Sequence, residues 1–499
     1  MRASVTVRGA ARPALSRRGF LRLGAAGLLA GAVSGGRAVP WVRAGGGGGV
    51  PLVEPPVRVS RDGLLDTSLT PRLGGVRIGD QVASTEAYDG AFTGPTLRVR
   101  AGDLLRIALV NRLPEETNLH SHGLHVSPSG NADNVFIRVQ PGETFQYEYE
   151  LPADHPAGLY WYHPHFYGNS DAQVFGGLAG ALIVEGELDR LPGIAGLPER
   201  LLALQATYVD AQGQVRVGDE GPTFPLLKLV NGQLNPLLAI RPGETQRWRI
   251  GNFSADTYFL LQLDGHTLHV IDNDGNPLDA VQARDQLLFP PGKRYEVLVQ
   301  GGPPGSYALR TLPFDKGQVS MGGAVEPEAV LATLVSAGPP VAPQALPTVL
   351  IPFVDLRDAA VDAQREITFD VPPMGSGGMA GMAAGATAEM QPIFEINGKQ
   401  FDANAVDTTV RLGSTEEWVI RNTSAQVHPF HIHVNPFQVV ATNGQPFQAA
   451  SYEDTVNLPA LGSVTMRTRF LDFPGKFVYH CHILMHEDNG MMAVIEVQP

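Results

Sequence analysis

Cysteine is almost absent from this chain: Cys481 is the single one in 499 residues. That excludes an intrachain disulfide or any framework of paired cysteines. An excess of positive charge is absent too. Lysine and arginine number 37 against 50 aspartates and glutamates, a formal net charge of −13. Such a balance lacks the electrostatic footprint of a nucleic-acid-binding protein. No apolar run approaches the roughly 20 residues that cross a bilayer as a helix. Long helical patterns are scarce as well. With 57 Gly and 40 Pro, the chain is cut into short segments. Together with many Val and Thr, these favour short strands joined by turns.

The first 44 residues lack acids altogether and hold eight arginines. Ser16-Arg17-Arg18-Gly19-Phe20-Leu21 precedes an apolar stretch from Leu23 to Val33. A basic segment, a short apolar core and small residues near a cut site make a secretory signal. The Arg17-Arg18 pair resembles the twin-arginine export signal, a receptor-read address and not an anchor. The expectation is a leader at 1–44, read by the twin-arginine export machinery, and a destination in the periplasm or outside the cell with no stable membrane anchor. Cleavage near Ala44 takes the net charge to about −21. Substrates of that route cross already folded, which suits a cofactor inserted before export.

Length allows two to four domains, and internal repetition sets the number. TLRVRAGDLLRIALVNRL (Thr96–Leu113), LLAIRPGETQRWRIGNFS (Leu237–Ser254) and TTVRLGSTEEWVIRNTS (Thr408–Ser424) share one plan. Each is an alternating strand, a Gly turn and a second alternating strand ending near an Asn. VQPGETFQYEYE, FPPGKRYEVLVQ and LGSVTMRTRFLD form a second trio. PAGLYWYHPH, PGSYALRT and PGKFVYHCH form a third. Gly243 and Gly413, Gly292 and Gly462, and Gly305 and Gly475 are each 170 residues apart. Period-two alternation between Gly/Pro turns reads as antiparallel β-sandwich. The expected fold is all-β, three tandem sandwiches over 50–190, 191–345 and 346–499. A Gly leader precedes them, and an irregular loop, 372–392, interrupts the third.

Histidine is concentrated. Of 14, ten fall in four clusters: His120-Ser-His122, His163-Pro-His165, His428-Pro-Phe-His431-Ile-His433, and His480-Cys-His482 with His486. Along a strand, residues i and i+2 share a face, so each His-x-His pair offers two imidazoles side by side. The four pairs suffice for three metal ions. Cys481 points to the opposite face from His480 and His482, linked to both by short covalent paths. Around it stand His428, His486 and Met491. Two His, one thiolate and a weak axial Met describe a blue-copper electron-transfer site. Zinc also binds His clusters, but it has no use for such wiring.

These motifs resemble those of three-domain multicopper oxidases of the bacterial laccase-like kind, relatives of the periplasmic cuprous oxidases. The resemblance runs from about residue 50 to the last repeat and implies cupredoxin-like Greek-key sandwiches. It implies four copper ions, one type 1, one type 2 and two type 3. On the family pattern, His428, Cys481, His486 and Met491 hold the type 1 copper, and His120 and His431 the type 2. His122, His163 and His482 hold one type 3 copper, and His165, His433 and His480 the other. The cluster of three is expected between the first and third domains, with a copper-free spacer between them. Four one-electron oxidations of a donor are then coupled to reduction of O2 to two waters. Electrons are expected to enter at His486 and leave through Cys481. Asp133 and Glu487 are the candidate proton-handling acids.

The donor is harder to read. Met374, Met379, Met382 and Met390 occupy the slot where cuprous oxidases carry a Met-rich insertion, and thioethers suit Cu(I). They are few, and NTSAQV before His428 has neither Met nor acid. A phenol or aromatic amine is therefore the expected small reducing substrate, with Cu(I) as the alternative. Copper-free relatives that act as scaffolds in cell division form a further alternative, which a complete ligand set argues against. His125, His155, His266 and His269 are expected to be structural.

Overall fold

The computed structural model describes residues 49–216, 224–317, 324–372 and 393–499, and these form one compact unit. The leader expected at 1–44 and the loop from Met374 to Met390 lie outside the described residues.

The three repeats become three sandwiches that share a four-strand order, with one further strand at the leading edge of the first and at the trailing edge of the other two. In the first, one sheet runs Val57–Val59, Gly94–Arg100, Gly180–Glu185, Gly158–His163, His120–His122. In the middle one the corresponding order is Leu237–Ile240, Ala329–Ser336, Gly305–Leu312, Phe259–Leu263, Leu287–Phe289. In the third it is Thr408–Arg411, Met492–Gln498, Gly475–Cys481, His428–Ile432, Thr455–Leu458. The strands that carry histidines in the outer sandwiches thus have His-free counterparts, Phe259–Leu263 and Gly305–Leu312, in the middle one.

Alternation produces each core. Leu104–Val110 buries every second side chain, and Leu105, Ile107 and Leu109 meet Leu97, Val99, Tyr160 and Leu182 of the opposing sheet. Trp248 and Trp418 fill equivalent positions in the other two cores and are fully buried. The sheets are mixed and not purely antiparallel as the alternation suggested. Residues 64–69 run parallel to 104–109, and 363–369 run parallel to 416–422. Greek-key connections cross from one sheet to the other, so strands of like direction become neighbours. Side-chain period is two in either case.

The Asn closing each first-trio repeat does the same work three times. Asn111, Asn252 and Asn422 are buried. Each side-chain oxygen accepts the N–H two residues on, from Leu113, Ser254 and Ser424. Each amide donates to two carbonyls across the next loop. In the outer sandwiches that loop delivers the chain to His120 and to His428.

Candidate metal centres

The strand His428–Ile432 pairs with Gly475–Cys481, setting Phe430 opposite Cys481 and His431 opposite His480. That register carries two sites, one on each side of the sheet. Toward the core of the third sandwich, Cys481 Sγ lies 3.4 Å from His428 Nδ1 and 3.6 Å from His486 Nδ1. The two Nδ1 atoms are 3.2 Å apart. His486 comes from the single turn Leu484–Asp488, whose Leu484 N–H donates to Ala255 O of the middle sandwich. Met491 is fully buried in the same apolar cluster as Cys481, and its carbonyl accepts the Cys481 N–H. Phe394 stacks on His486 with ring centres 4.1 Å apart, and Ser424 Oγ lies 2.8 Å from His428 Nε2.

On the other side, eight imidazoles converge from the first and third sandwiches: His120, His122, His163, His165, His431, His433, His480 and His482. Each is 2% exposed or less. His120 stacks on His433 at 4.0 Å and His122 on His431 at 3.8 Å. His165 Nε2 and His433 Nε2 lie 3.1 and 3.2 Å from His480 Nε2. His482 lies 4.8 Å from His122 and 5.6 Å from His163, ring centre to ring centre. The close stacks run between the sandwiches and not within each His-x-His pair. Only His120 and His122 share a strand throughout. The other strands end at His163, Ile432 and Cys481, so His165, His433 and His482 lie beyond regular pleating. Pro164, which has no N–H to donate, stands at one of these ends.

The imidazoles are held from behind. His120 Nδ1 lies 3.0 Å from both oxygens of Asp133, whose Oδ1 accepts the Ser121 N–H. His431 Nδ1 donates to Asp454 O at 2.8 Å, and His163 Nδ1 to Pro164 O at 2.8 Å. Glu487 lies between His480 Nδ1 at 3.0 Å and His165 Nδ1 at 3.4 Å. The Nε2 atoms of His120, His122, His163, His431 and His482 are buried with no hydrogen-bond partner. In His120, His122, His163 and His431, outer atoms anchored and inner atoms free is the arrangement of metal ligands with their supporting contacts.

Burial, reinforced by neighbouring imidazoles, holds His120, His122, His433 and His482 well below the ordinary histidine range. It brings His428 to about 3. The rings are therefore neutral, the form that binds metal. Burial pushes the Cys481 thiol well up and the Asp133 carboxyl up to about 7. Burial also raises Glu487, but His165 and His480 outweigh it and leave that carboxyl below its usual range. The donor sets fit soft, redox-active metal ions. One site joins a thiolate to two imidazoles, and beside it stands an imidazole cage with orphaned inward nitrogens.

Residues unforeseen from the sequence complete the surroundings. Asp454 lies 3.7 Å from His122 Nδ1 and is gripped by Arg294, which donates to its Oδ1 at 2.9 Å and Oδ2 at 2.7 Å. The Asn118 side chain accepts the His165 N–H at 2.6 Å. Trp161 stacks on His163 at 4.1 Å. None belongs to a His-x-His or His-Cys-His pattern, although Arg294 and Trp161 lie within the repeated segments. The four remaining histidines stand apart from both centres. His125 contacts Val434 O and Asp472, and its N–H donates to His155. His266 bonds Asp264 O and Gly302 N–H, and His269 lies on the middle sandwich.

Three sequence models, each described as multicopper oxidase, match residues 74–189, 203–338 and 362–499. The chain is 27% identical to multicopper oxidase mco of Staphylococcus aureus over 430 residues, covering 83% of this chain and 84% of that one. It is also 27% identical to cell division protein FtsP of Dickeya dadantii, over 97% of this chain and 99% of that one. Among solved structures it resembles a bacterial laccase-like multi-copper oxidase from the lignin-degrading Ochrobactrum sp. The TM-score is 0.74 at 27% identity, covering 90% of this chain and 100% of that one.

Proposed function

The chain belongs to the multicopper oxidase family and is an oxidoreductase, and from that premise we propose that it oxidises phenols or aromatic amines, one electron at a time, at the expense of O2. Four such oxidations balance reduction of one O2 to two waters. The observation that carries the reading is the meeting of eight buried imidazoles beside a Cys–His–His set, with one strand, Gly475–Cys481, serving both. His428, Cys481, His486 and Met491 are the proposed type 1 ligands. His120 and His431 are those of type 2. His122, His163 and His482, and His165, His433 and His480, are those of the two type 3 ions. Bound copper supplies one-electron exchange with the donor and the chemistry that reduces dioxygen.

The chain's own residues supply the rest. Burial disfavours the charged form of His120, His122, His433 and His482, and the packed side chains keep water away from both centres. Cys481 joins the two centres through its peptide links to His480 and His482. Phe394 covers His486, so a donor approaches that ring through packed side chains. Making water consumes protons, and Asp133 and Glu487 are the carboxyls placed against the cage to hand them on. In this proposal the domains span 50–190, 191–345 and 346–499, and the protein is exported through the twin-arginine machinery. No helix among the described residues is long and apolar enough to cross a membrane.

The aromatic donor is favoured by the likeness to the Ochrobactrum protein, which is described as having oxidase activity towards lignin model compounds. The test is oxygen uptake by the copper-loaded protein, with a phenol and with Cu(I) in parallel. Rapid uptake with the phenol and little with Cu(I) supports the proposal. The reverse makes the protein a cuprous oxidase. No uptake with either, from fully loaded protein, rejects an oxidase and favours a role like that named for FtsP.

A further inference from the structure

The middle sandwich supplies no proposed ligand, yet one of its turns reaches the imidazole cage. This is the Gly turn of the second repeated trio, FPPGKRY. Its backbone is tied down, with Gly292 N donating to Asn252 O at 3.1 Å and Asn252 N to Lys293 O at 2.9 Å. Lys293 Nζ bonds Asp274, Glu453 and Thr455 O, the last two in the third sandwich. Arg294 donates to Leu159 O of the first sandwich and grips Asp454 of the third with two hydrogen bonds. The Asp454 carbonyl in turn orients His431.

Gly292 carries the point of the argument. Its φ is +85°, and a Cβ on it would stand 3.0 Å from His122 Nε2 and 3.1 Å from His482 Nε2. Both nitrogens are buried and unpartnered. The same turn in the first sandwich has Gly142 at φ +82°, with open space where its Cβ would be. Turn geometry alone therefore explains a glycine at 142 and at 292. Only at 292 does the missing side chain also leave room in front of two inward-facing imidazole nitrogens.

We infer that this turn is a positioning element of the copper cluster, Gly292 keeping clear the space faced by His122 and His482, and Arg294 fixing His431 through Asp454. The inference rests on the proposal that the cage binds copper. Neither residue is catalytic. They act through the imidazoles.

The test compares wild type, Gly292→Ala, Gly142→Ala and Arg294→Lys, each copper-loaded, by metal content per folded chain, blue absorption and type 2 electron paramagnetic resonance. Gly142→Ala bears the same backbone strain away from the cage and is the control. The expected result is full blue absorption in all four. Gly292→Ala should lose at least one copper per chain that Gly142→Ala retains. Arg294→Lys keeps the charge without the two-pronged grip, and its type 2 signal should weaken or change shape. Full copper content and an unaltered type 2 signal in Gly292→Ala would overturn the inference. A wild type that loads only the blue site would overturn the copper reading of the cage and this inference with it.

Discussion

Cys481 is buried among apolar side chains, with a thiol pushed far above its ordinary range. Serine in its place keeps the volume and removes the soft ligand. Cys481→Ser should fold, lose its blue colour and fall to background oxygen uptake, as read by absorption and an oxygen electrode. Asp133 acts differently, because it touches His120 and not the proposed blue site. Asp133→Asn should keep the blue absorption while turnover falls about 10- to 100-fold, the usual cost of losing a ligand's supporting contact. At this scale the sequence was most readable. His-x-His and His-Cys-His are dense, local patterns, and the structure gathers every one of their histidines. Asp454 and Arg294 were not legible. Asp454 touches His122 and His431 directly, and Arg294 touches His122, but both lie far from His122 in sequence, and Arg294 far from His431 as well.

At the scale of elements, the repeated Asn turns and the contacts between sandwiches set the stability. Asn252 is buried, and its side chain satisfies three backbone groups without bonding any proposed ligand. Asn252→Ala should destabilise by about 2 kcal/mol or more by stranding those groups, measured by chemical unfolding of the metal-free protein. His125 and Asp472 tie the first sandwich to the third. Burial lowers His125, but Asp472 and the Val434 carbonyl more than reverse it, so its net shift is upward. The His125 hydrogen bond holds Asp472 down. A raised histidine stabilises at low pH and loses its effect as pH rises through its folded value. A depressed carboxylate stabilises at high pH and loses its effect as pH falls. The pair therefore helps most in the mildly acidic range, between the two folded values. Asp472→Asn should lower the melting temperature there, with the gap closing towards pH 8. The repeats announced these strands through period two and Gly turns. Parallel pairing escaped notice because it leaves the same alternation.

For the whole molecule, the proposed cluster lies where the first and third sandwiches meet, with the middle one bracing it from Gly292 to Arg294. The proposed ligand sets exist only in the assembled fold, so copper held by them is expected to favour it over the open chain. Loading should therefore raise stability by about 4 kcal/mol per site at a thousandfold excess over the dissociation constant. Calorimetry with and without a chelator checks this, and the sandwiches should melt together when loaded. The number of sandwiches was legible from three repeated segments that each recur three times. That the first and third meet was expected from the family resemblance and not from the strand pattern, because the faces that meet carry no period of their own.

His165 and His480 stand nitrogen to nitrogen although 315 residues separate them. During synthesis the first half of the cage waits, unfinished, until the chain has been extended through His480. A ribosome that stops anywhere before His480 releases a product unable to complete either centre. Metal content is thus a proofreading mark: a chain that holds its full complement has been both translated through the last ligand and docked end to end.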